Sequence, residues 1–422
     1  MRKVEGDRPL LTAKIRAIAC DDCVKIIRLL SPIPMSQVFD RLQISGYRAL
    51  KLVNLSQLGQ VNIFVGDNNA GKTSILEAVS ILCNPLDPFQ WLEVSQRRLY
   101  LGRSQLMRLR PNIEALKWIF SQKITASNDE FYQAEILIEV NGTAPIHELR
   151  AKLGEIYGSG VEKNNQNRFE EDISSAEEDV SSSEIDSVRA GLELEIVLNL
   201  APGKISSGQL SLFPSEPKSE IFQFWENERF VQRRRNKPIV KNATIFPSYS
   251  SSEPILERLS RIILQQEDGK NELLELMQSF DDNILDIQIL SPTATAAIYI
   301  KHKELGLTPL YVFGDGLKRT LIIALTLLTT ANGVLLIDEI ETSIHVSALG
   351  SVFSWLIETC RRREIQLFVT THSLEAIDAM LQPEIATEDV VAFRLNHNGQ
   401  APQRFSGNLL HRLRSERGLD VR

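Results

Sequence analysis

Eight residues in the first quarter of the chain match the pattern G-x-x-x-x-G-K-[ST] of phosphate-binding loops (the P-loop, or Walker A motif, Gly66–Thr73). Glycines let successive backbone N–H groups curl around a phosphate, and the helix that follows adds partial positive charge. We expect Lys72 to reach the β- and γ-phosphates of a nucleotide and the Thr73 hydroxyl to bind Mg²⁺. The predicted phosphate contacts, including the serine after the motif, are Gly66, Asp67, Asn68, Asn69, Ala70, Gly71, Lys72, Thr73 and Ser74.

A second candidate for chemistry is a pair of adjacent carboxylates, Asp338 and Glu339, which follow the apolar run Val334–Ile337. A run with no polar alternation is typical of a buried strand in a parallel sheet. Two carboxylates at the end of such a strand form a Walker B motif. Asp338 is predicted to hold Mg²⁺, directly or through water, and Glu339 to polarise the attacking water.

Two further segments carry candidate residues. His372 follows the apolar run Gln366–Thr370, and a neutral imidazole at that place can hydrogen-bond a γ-phosphate. The glycine-rich segment Gly314–Arg319 precedes a long apolar helix and is an anion site without a lysine of the P-loop kind. It has no phosphate to bind within one molecule, so we predict that it caps a nucleotide held by another subunit. Its predicted contacts are Gly314, Asp315, Gly316 and Lys318.

Strands and helices must alternate to bring these residues together. The patterns of apolar residues predict a strand before the P-loop, a helix after it, and a helix–strand–helix–strand series in the C-terminal third. This alternation predicts an α/β fold with a mostly parallel central sheet flanked by helices. The predicted elements are strand Val61–Val65, helix Thr73–Leu82, helix Gly316–Thr330, strand Val334–Ile337, helix His345–Cys360 and strand Gln366–Thr370.

The remaining sequence predicts a split ATPase head with a long insertion. We interpret residues 1–35 as an N-terminal extension, with a start at Met35 as the alternative, 36–85 as the first half of the head, and 301–422 as the second half. Residues 86–300 are a helical and mixed insertion that contains a disordered acidic loop at about 159–190. Helical patterning in 253–281 is interrupted by Asp268-Gly269, which predicts two helices.

Composition argues for a cytoplasmic protein without membrane contact. The longest apolar run, Leu321–Leu328, is far shorter than the roughly 20 residues of a membrane helix. The net charge of −7 is due to the stretch Glu170–Asp186, without which acidic and basic residues are nearly equal in number, so charge does not decide about DNA. Cys20 and Cys23 have the spacing of half a zinc site, but no second pair accompanies them.

The order of these motifs resembles that of the ABC/SMC/RecF-type ATPases. Within them, the chain is similar to the AAA-annotated prokaryotic ATPases related to OLD proteins, over roughly residues 39–84 and 300–422. The segments that carry the resemblance are Ile44–Arg48, Gly314–Arg319, Leu336–Glu341 through His345, and Thr370–Ser373.

The resemblance implies ATP and Mg²⁺ as cofactors, and ATP held between two heads of a homodimer or higher oligomer. Gly314 and Asp315 stand where the family commonly has serine and glycine, so Lys318 or Arg319 is the alternative contact to the neighbour's γ-phosphate. Gln90 and Gln133 are the candidates for the glutamine of the family's Q-loop. His345 shares a helix face with Glu341 only if one helix contains both, and two ligands do not close a metal site.

The function that this resemblance implies is an ATPase switch that controls a separate effector protein, in phage defence or DNA maintenance. The alternative is an ATP-dependent DNA clamp of the RecF/SMC type with little catalysis, in which Arg233–Lys241 would contact the DNA backbone. A nuclease of the OLD type is less favoured, because only 50 residues follow His372 and they contain no Glu plus Asp-x-Asp pattern.

Overall fold

The computed structural model describes the greater part of the chain. The described residues are 37–98, 112–122, 132–159, 188–201, 216–226, 236–245, 253–265, 267–292, 295–382, 389–396 and 400–422. The predicted N-terminal extension, the cysteine pair and Arg233–Arg235 lie outside them, as do residues 160–187 of the predicted acidic loop.

A six-stranded central sheet carries the P-loop strand in its middle. Its first five strands run parallel to one another, and only the last pairing is antiparallel. In spatial order the strands are β8 (Asn242–Ile245), β12 (Gly333–Ile337), β13 (Ile365–Thr370), β3 (Val61–Gly66), β14 (Val390–Leu395) and β15 (Gln403–Ser406).

A second six-stranded sheet is antiparallel throughout and draws most of its strands from the predicted insertion. In spatial order its strands are β2 (Leu50–Ser56), β1 (Arg41–Tyr47), β4 (Gln133–Asn141), β5 (Ile146–Ser159), β6 (Val188–Leu200) and β7 (Lys218–Trp225). A smaller antiparallel sheet contains β9 (Ile284–Leu290), β10 (Ala297–His302) and β11 (Gly306–Pro309).

Helices cover both faces of the central sheet. The helices are α1 (Lys72–Cys83), α2 (Pro88–Gln96), α3 (Ile113–Lys117), α4 (Glu253–Gln265), α5 (Glu267–Gln278), α6 (Asp315–Thr329), α7 (Val346–Arg362), α8 (Leu374–Leu381) and α9 (Gly407–Ser415), with a short 3-10 helix at Leu310–Val312. The first hydrophobic core packs α1 between one face of the central sheet and the antiparallel sheet. The second packs α7 and α8 on the opposite face, and the third joins α4, α5 and α6 to the small sheet.

The P-loop strand β3 anchors the central sheet through side chains that pack in the hydrophobic cores on both of its faces. Every residue of β3 is buried, and alternate side chains enter opposite cores, because successive side chains of a strand point to opposite faces. Phe64 stacks on Phe368 of β13 and on Phe393 of β14, with ring centroids 6.2 and 5.8 Å apart. A fully buried side chain of this size stabilises the fold by about 1.5–3 kcal/mol relative to an exposed one.

Most predicted elements of the head are found within a residue or two of their predicted ends. In the insertion, the stretch 253–281 contains the two predicted helices, but the boundary between them differs from the prediction. Helix α4 ends at Gln265 and α5 begins at Glu267, so Asp268-Gly269 lies inside the first turn of α5. The α/β architecture agrees with the prediction, but the strands as a whole form a mixed arrangement rather than a mostly parallel one. None of the helices in the described part is long and apolar enough to cross a membrane.

Candidate functional site

The predicted chemical groups meet at one edge of the central sheet. Parallel strands place their carboxyl ends together, so the P-loop after β3, the carboxylates after β12 and His372 after β13 are brought to the same edge. The Thr73 hydroxyl donates to the Asp338 carboxylate, at 3.1 Å from one oxygen and 3.2 Å from the other. A hydroxyl and a carboxylate are the oxygen ligands that Mg²⁺ prefers, so these two residues fit the predicted metal role.

The P-loop bends where glycine is required. Gly66 and Gly71 have positive φ angles of 133° and 97°. A Cβ atom on Gly66 would lie 2.4 Å from the Leu395 carbonyl oxygen, and one on Gly71 would lie 2.5 Å from a methyl carbon of Leu50. Gly71 is the N-cap of α1 and supplies no side-chain hydrogen bond to the first turn. The N–H groups of that turn therefore point out of the helix, as an anion site needs.

Lys72 curls back over this loop. Its ammonium group donates to the carbonyl oxygens of Gly66 at 2.7 Å and Asp67 at 2.8 Å, and the residue is 6% exposed. Burial lowers the pKa of Lys72, and the nearby carboxylates, Asp338 first, act in the opposite direction. The cation is thus held within the loop and faces the negative charge of the Walker B strand.

Asp338 is buried, and its carboxylate accepts a hydrogen bond from a second hydroxyl group besides that of Thr73. Thr370, at the end of β13, donates to it at 2.6 Å. Burial raises the pKa of Asp338, while the hydrogen bonds from Thr370 and Thr73 lower it. The backbone carbonyl of Asp338 also accepts a hydrogen bond from Arg319 at 3.1 Å. Asp338 is therefore fixed from three sides.

Glu339 stands in a strained backbone conformation. Its φ angle is 46°, in a region that non-glycine residues seldom adopt. The N–H group of Glu339 donates to the Thr370 hydroxyl at 2.8 Å, and the Thr342 hydroxyl donates to the Glu339 carboxylate at 3.2 Å. Thr370 thus holds both carboxylate residues. The sequence analysis did not single it out, and the only signal was a hydroxyl residue at the end of the strand that precedes His372.

His372 is half-buried and lies in the turn between β13 and α8. Its backbone N–H donates to the Glu341 carboxylate at 2.8 Å, and its carbonyl oxygen accepts from the Arg422 guanidinium at 2.9 Å. Ser373 then caps α8, because its hydroxyl accepts the N–H of Ala376. The histidine is therefore placed at the sheet edge by side chains that are remote in sequence.

The glycine-rich segment occupies the start of α6 and faces outward. Gly314 and Asp315 are exposed, and Lys318 forms an ion pair with Asp315 at 3.0 Å. Among the described residues, no hydrogen bond or ion pair joins Gly314–Lys318 to the P-loop. Arg319 is 5% exposed and donates to the Asp338 carbonyl of its own chain, which does not favour the alternative in which Arg319 reaches a neighbour's phosphate.

A buried ion cluster supports the P-loop helix from behind. Glu77 of α1 is fully buried and accepts hydrogen bonds from Arg48 at 2.8 Å and Arg98 at 2.9 Å. Arg98 also donates to the Ser74 hydroxyl, next to the P-loop. Burial raises the pKa of Tyr47, whose hydroxyl donates to Glu77. The sequence analysis did not find this cluster, because its members come from three separate segments.

The other candidates take no part in this edge. Gln90 donates to the Ser80 hydroxyl of α1, and Gln133 lies on β4 in the antiparallel sheet. His345 is the N-cap of α7, with Glu341 outside that helix, so the two do not share a helix face. Across the part of the chain that the structure describes, no group of three or more His, Cys, Asp or Glu side chains could hold a metal ion.

Several known proteins are similar to this chain. A Helicobacter pylori protein named ATP/GTP phosphatase is 23% identical over 370 residues, which cover 81% of this chain and 87% of that protein. An uncharacterised protein of Methanocaldococcus jannaschii is 33% identical over 114 residues, 26% of this chain and 98% of that protein.

Solved structures similar to this chain include SMC heads. The SMC head bound to the C-winged helix domain of ScpA has a TM-score of 0.43 and 12% identity, and the match covers 87% of this chain and 97% of that one. The SMC head domain from Thermotoga maritima has a TM-score of 0.37 and 10% identity, and the match covers 87% and 98%.

A family model matches residues 61–378, three quarters of the chain, from the P-loop strand through β13 and into α8. The family is described as "AAA domain, putative AbiEii toxin, Type IV TA system". The matched region contains the P-loop, the Walker B carboxylates and His372, which lie together at the sheet edge. The chain therefore belongs to this AAA domain family.

Proposed function

We propose that this protein binds ATP with Mg²⁺, hydrolyses it, and uses the cycle as a switch that controls a separate effector, in phage defence or DNA maintenance. The observation that carries the proposal is the contact of Thr73 with Asp338, which joins the phosphate loop to the Walker B strand. The similar Helicobacter pylori protein is named for nucleotide hydrolysis, which supports the reaction and makes GTP a second substrate to test.

In this proposal each residue has a defined role. The P-loop backbone and Lys72 bind the β- and γ-phosphates, and Thr73 with Asp338 would hold Mg²⁺. The bound ion would neutralise the charge that builds up on the phosphates as the γ-phosphate leaves. Glu339 would polarise the attacking water, and His372 would hydrogen-bond the γ-phosphate. The Thr370 hydroxyl supports this assignment, since it donates to the Asp338 carboxylate and accepts the backbone N–H of Glu339.

The switch is proposed to act between subunits. Gly314, Asp315 and Lys318 lie at an outward-facing helix start, so they are free to cap the ATP of a neighbouring head. The arginines of the C-terminal third give the DNA-clamp alternative little support. Arg361 pairs with Asp389, while Arg362 and Arg363 share Glu272, so two carboxylates offset most of the charge of these three arginines.

Two variants test the reaction. Lys72→Ala should abolish binding of a fluorescent ATP analogue, because the main cationic contact to the phosphates is lost. Glu339→Gln should bind ATP normally but hydrolyse it at least about a hundredfold more slowly, the usual effect of losing a general base. Lys301→Ala and Glu358→Gln, which alter exposed residues of β10 and α7, are matched controls and should behave like the wild type.

Phosphate release with ATP and with GTP is the measurement. Hydrolysis by Glu339→Gln at the wild-type rate would overturn the assignment of the base. If the wild-type protein bound ATP tightly but released no phosphate, with or without DNA, the result would favour the non-catalytic DNA clamp over the ATPase switch.

A further inference from the structure

Between β12 and α7 lies a loop, residues 338–345, whose third carboxylate the roles above leave unused. Glu341 comes two residues after Glu339, and its side chain turns to the neighbouring strand rather than to solvent. One carboxylate oxygen, Oε1, accepts the backbone N–H of His372 at 2.8 Å. The other, Oε2, is buried and has no hydrogen-bond partner among the described residues.

An incompletely bonded, buried carboxylate destabilises a fold unless it has another use. A buried acceptor without a partner has lost its hydrogen bonds to water and gained none in return, and the penalty is larger when the group is charged. The charge of Glu341 is felt within the site, since it acts on Lys72 and on Arg319. A role beyond packing is therefore indicated for this side chain.

The carbonyl group of the same residue, His372, is held by the segment that follows α9. The guanidinium of Arg422 donates to the carbonyl oxygen of His372 at 2.9 Å and pairs with Asp420. Val421, between them, is 3% exposed and lies in the second core. Arg414 of α9 donates to the Leu419 carbonyl, which anchors this tail further.

We propose that Glu341 and Arg422 are positioning residues for His372. They hold its backbone N–H and its carbonyl, and so fix where the imidazole stands when the γ-phosphate is bound. Neither residue needs to touch the nucleotide. The inference rests on the proposed hydrolytic function, in which His372 is the group that contacts the γ-phosphate.

The loop also links this histidine to the glycine-rich segment. A Cβ atom on Gly316 would lie 2.7 Å from the Ser343 carbonyl oxygen, so the start of α6 packs directly on the loop. Glu341, two residues before Ser343, connects the other side of the loop to His372. A neighbouring subunit that pressed on the glycine-rich segment would thereby act on the backbone of His372.

The kinetic test compares a substitution that removes the hydrogen bond to His372 with one that keeps it. Glu341→Ala should lower kcat for ATP hydrolysis about tenfold with KM changed less than about twofold, since one hydrogen bond that orients a group in the transition state is lost. Glu341→Gln should stay within about twofold of wild type, because its amide oxygen accepts the same N–H. Glu358→Ala, on the exposed face of α7, is the control.

A double substitution shows whether Glu341 acts through His372. When two residues act through one another, their effects are not additive. Glu341→Ala combined with His372→Ala should be no slower than His372→Ala alone. An additional tenfold loss in the double variant, or a Glu341→Gln protein as slow as Glu341→Ala, would overturn the proposal.

Hydrogen–deuterium exchange tests the contact without any need for activity. Glu341→Ala and Arg422→Ala should each speed amide exchange of residues 371–373 at least about threefold, whereas Glu358→Ala should not. The Arg422 side chain is 42% exposed, so we expect Arg422→Ala to fold even if Glu341→Ala does not. The proposal would be overturned if Arg422→Ala left amide exchange at residues 371–373 unchanged and Glu341→Ala exchanged no faster there than Glu341→Gln. If the wild type hydrolysed no ATP while the two alanine variants still showed faster exchange, only the proposed hydrolytic function would be overturned.

Discussion

At the residue scale, Asp338 illustrates a conflict between stability and the proposed chemistry. Burial raises its pKa, and the neighbouring charge of Glu339 adds to the effect, although hydrogen bonds from Thr370 and Thr73 oppose it. A carboxyl group with a raised pKa binds its proton more tightly in the folded state than in the unfolded state. The contribution of Asp338 to the free energy of unfolding is therefore most favourable at pH values below its pKa in the unfolded state. It becomes less favourable as the pH rises through its pKa in the folded state.

Asp338→Asn should consequently make the protein more stable and less active. At pH 7.5 and without nucleotide, the neutral amide removes the cost of the buried charge, and we expect the thermal midpoint to rise by about 1–4 °C. The gain should shrink as the pH is lowered from 7.5, since the raised pKa lets Asp338 itself take up a proton more readily than an ordinary aspartate does. Phosphate release should fall to background, because the Mg²⁺ ligand is lost.

Differential scanning fluorimetry across this pH range is the measurement, and Asp282→Asn, at an exposed position of the turn before β9, is the control. A thermal midpoint for Asp338→Asn below that of the wild type at pH 7.5 would contradict this expectation, because it would mean that the buried carboxylate stabilises the folded protein.

The sequence predicted the members of the site that sit inside a motif, and missed those that depend on strand pairing. The spacing within the P-loop is enough to assign Lys72 and Thr73, because loop geometry is local. Thr370 faces Asp338 only because Ile337 pairs with Val369 in the parallel register of β12 and β13. That register is fixed by long-range packing, so spacing in the sequence does not reveal it.

At the element scale, the start of α6 depends on a close backbone approach. Gly316 lies in the first turn of this helix, where alanine would ordinarily be more favourable by about 1 kcal/mol. A methyl group there would lie 2.7 Å from the carbonyl oxygen of Ser343, and backbone atoms cannot give way easily. At Gly314, the N-cap, an added methyl group would meet nothing within 4 Å.

Gly316→Ala should therefore destabilise the protein by about 1–3 kcal/mol, the usual cost of overpacking, despite its higher helix propensity. Gly314→Ala is the matched control and should change the free energy of unfolding by less than about 0.5 kcal/mol. Urea unfolding followed by circular dichroism measures both. Equal midpoints for the two variants would show that the loop after β12 yields freely at Ser343.

Elements with their own periodicity could be predicted, and elements that need a distant partner could not. Helix α7 was predicted from the spacing of its apolar residues, and β12 from an unbroken apolar run. Strand β8 is only four residues long and carries no such pattern, yet it pairs with β12 at the edge of the central sheet. The sequence assigned it to the insertion, because nothing local distinguishes it from a loop.

At the scale of the whole molecule, we propose that the site is built from two subunits. The P-loop, Asp338, Glu339 and His372 come from the same edge of one sheet, while the glycine-rich segment has exposed residues and, among the described residues, no hydrogen bond to its own P-loop. ATP would then join two heads, since each head supplies what the other lacks. A protein that binds ATP but hydrolyses it slowly should accumulate in this joined form.

Glu339→Gln should accordingly shift from the monomer mass of 47.6 kDa to about twice that mass when ATP and Mg²⁺ are added. Gly314→Glu in the same background should bind ATP equally well and remain monomeric. The new carboxylate meets no atom of its own chain near Cβ, so folding is unaffected, but it would stand against the negative γ-phosphate of the neighbour. Lys72→Ala, which cannot bind ATP, should stay monomeric as well. Light scattering coupled to size exclusion gives the mass, and a Gly314→Glu protein that still doubles in mass with ATP would place the contact between subunits elsewhere on the surface.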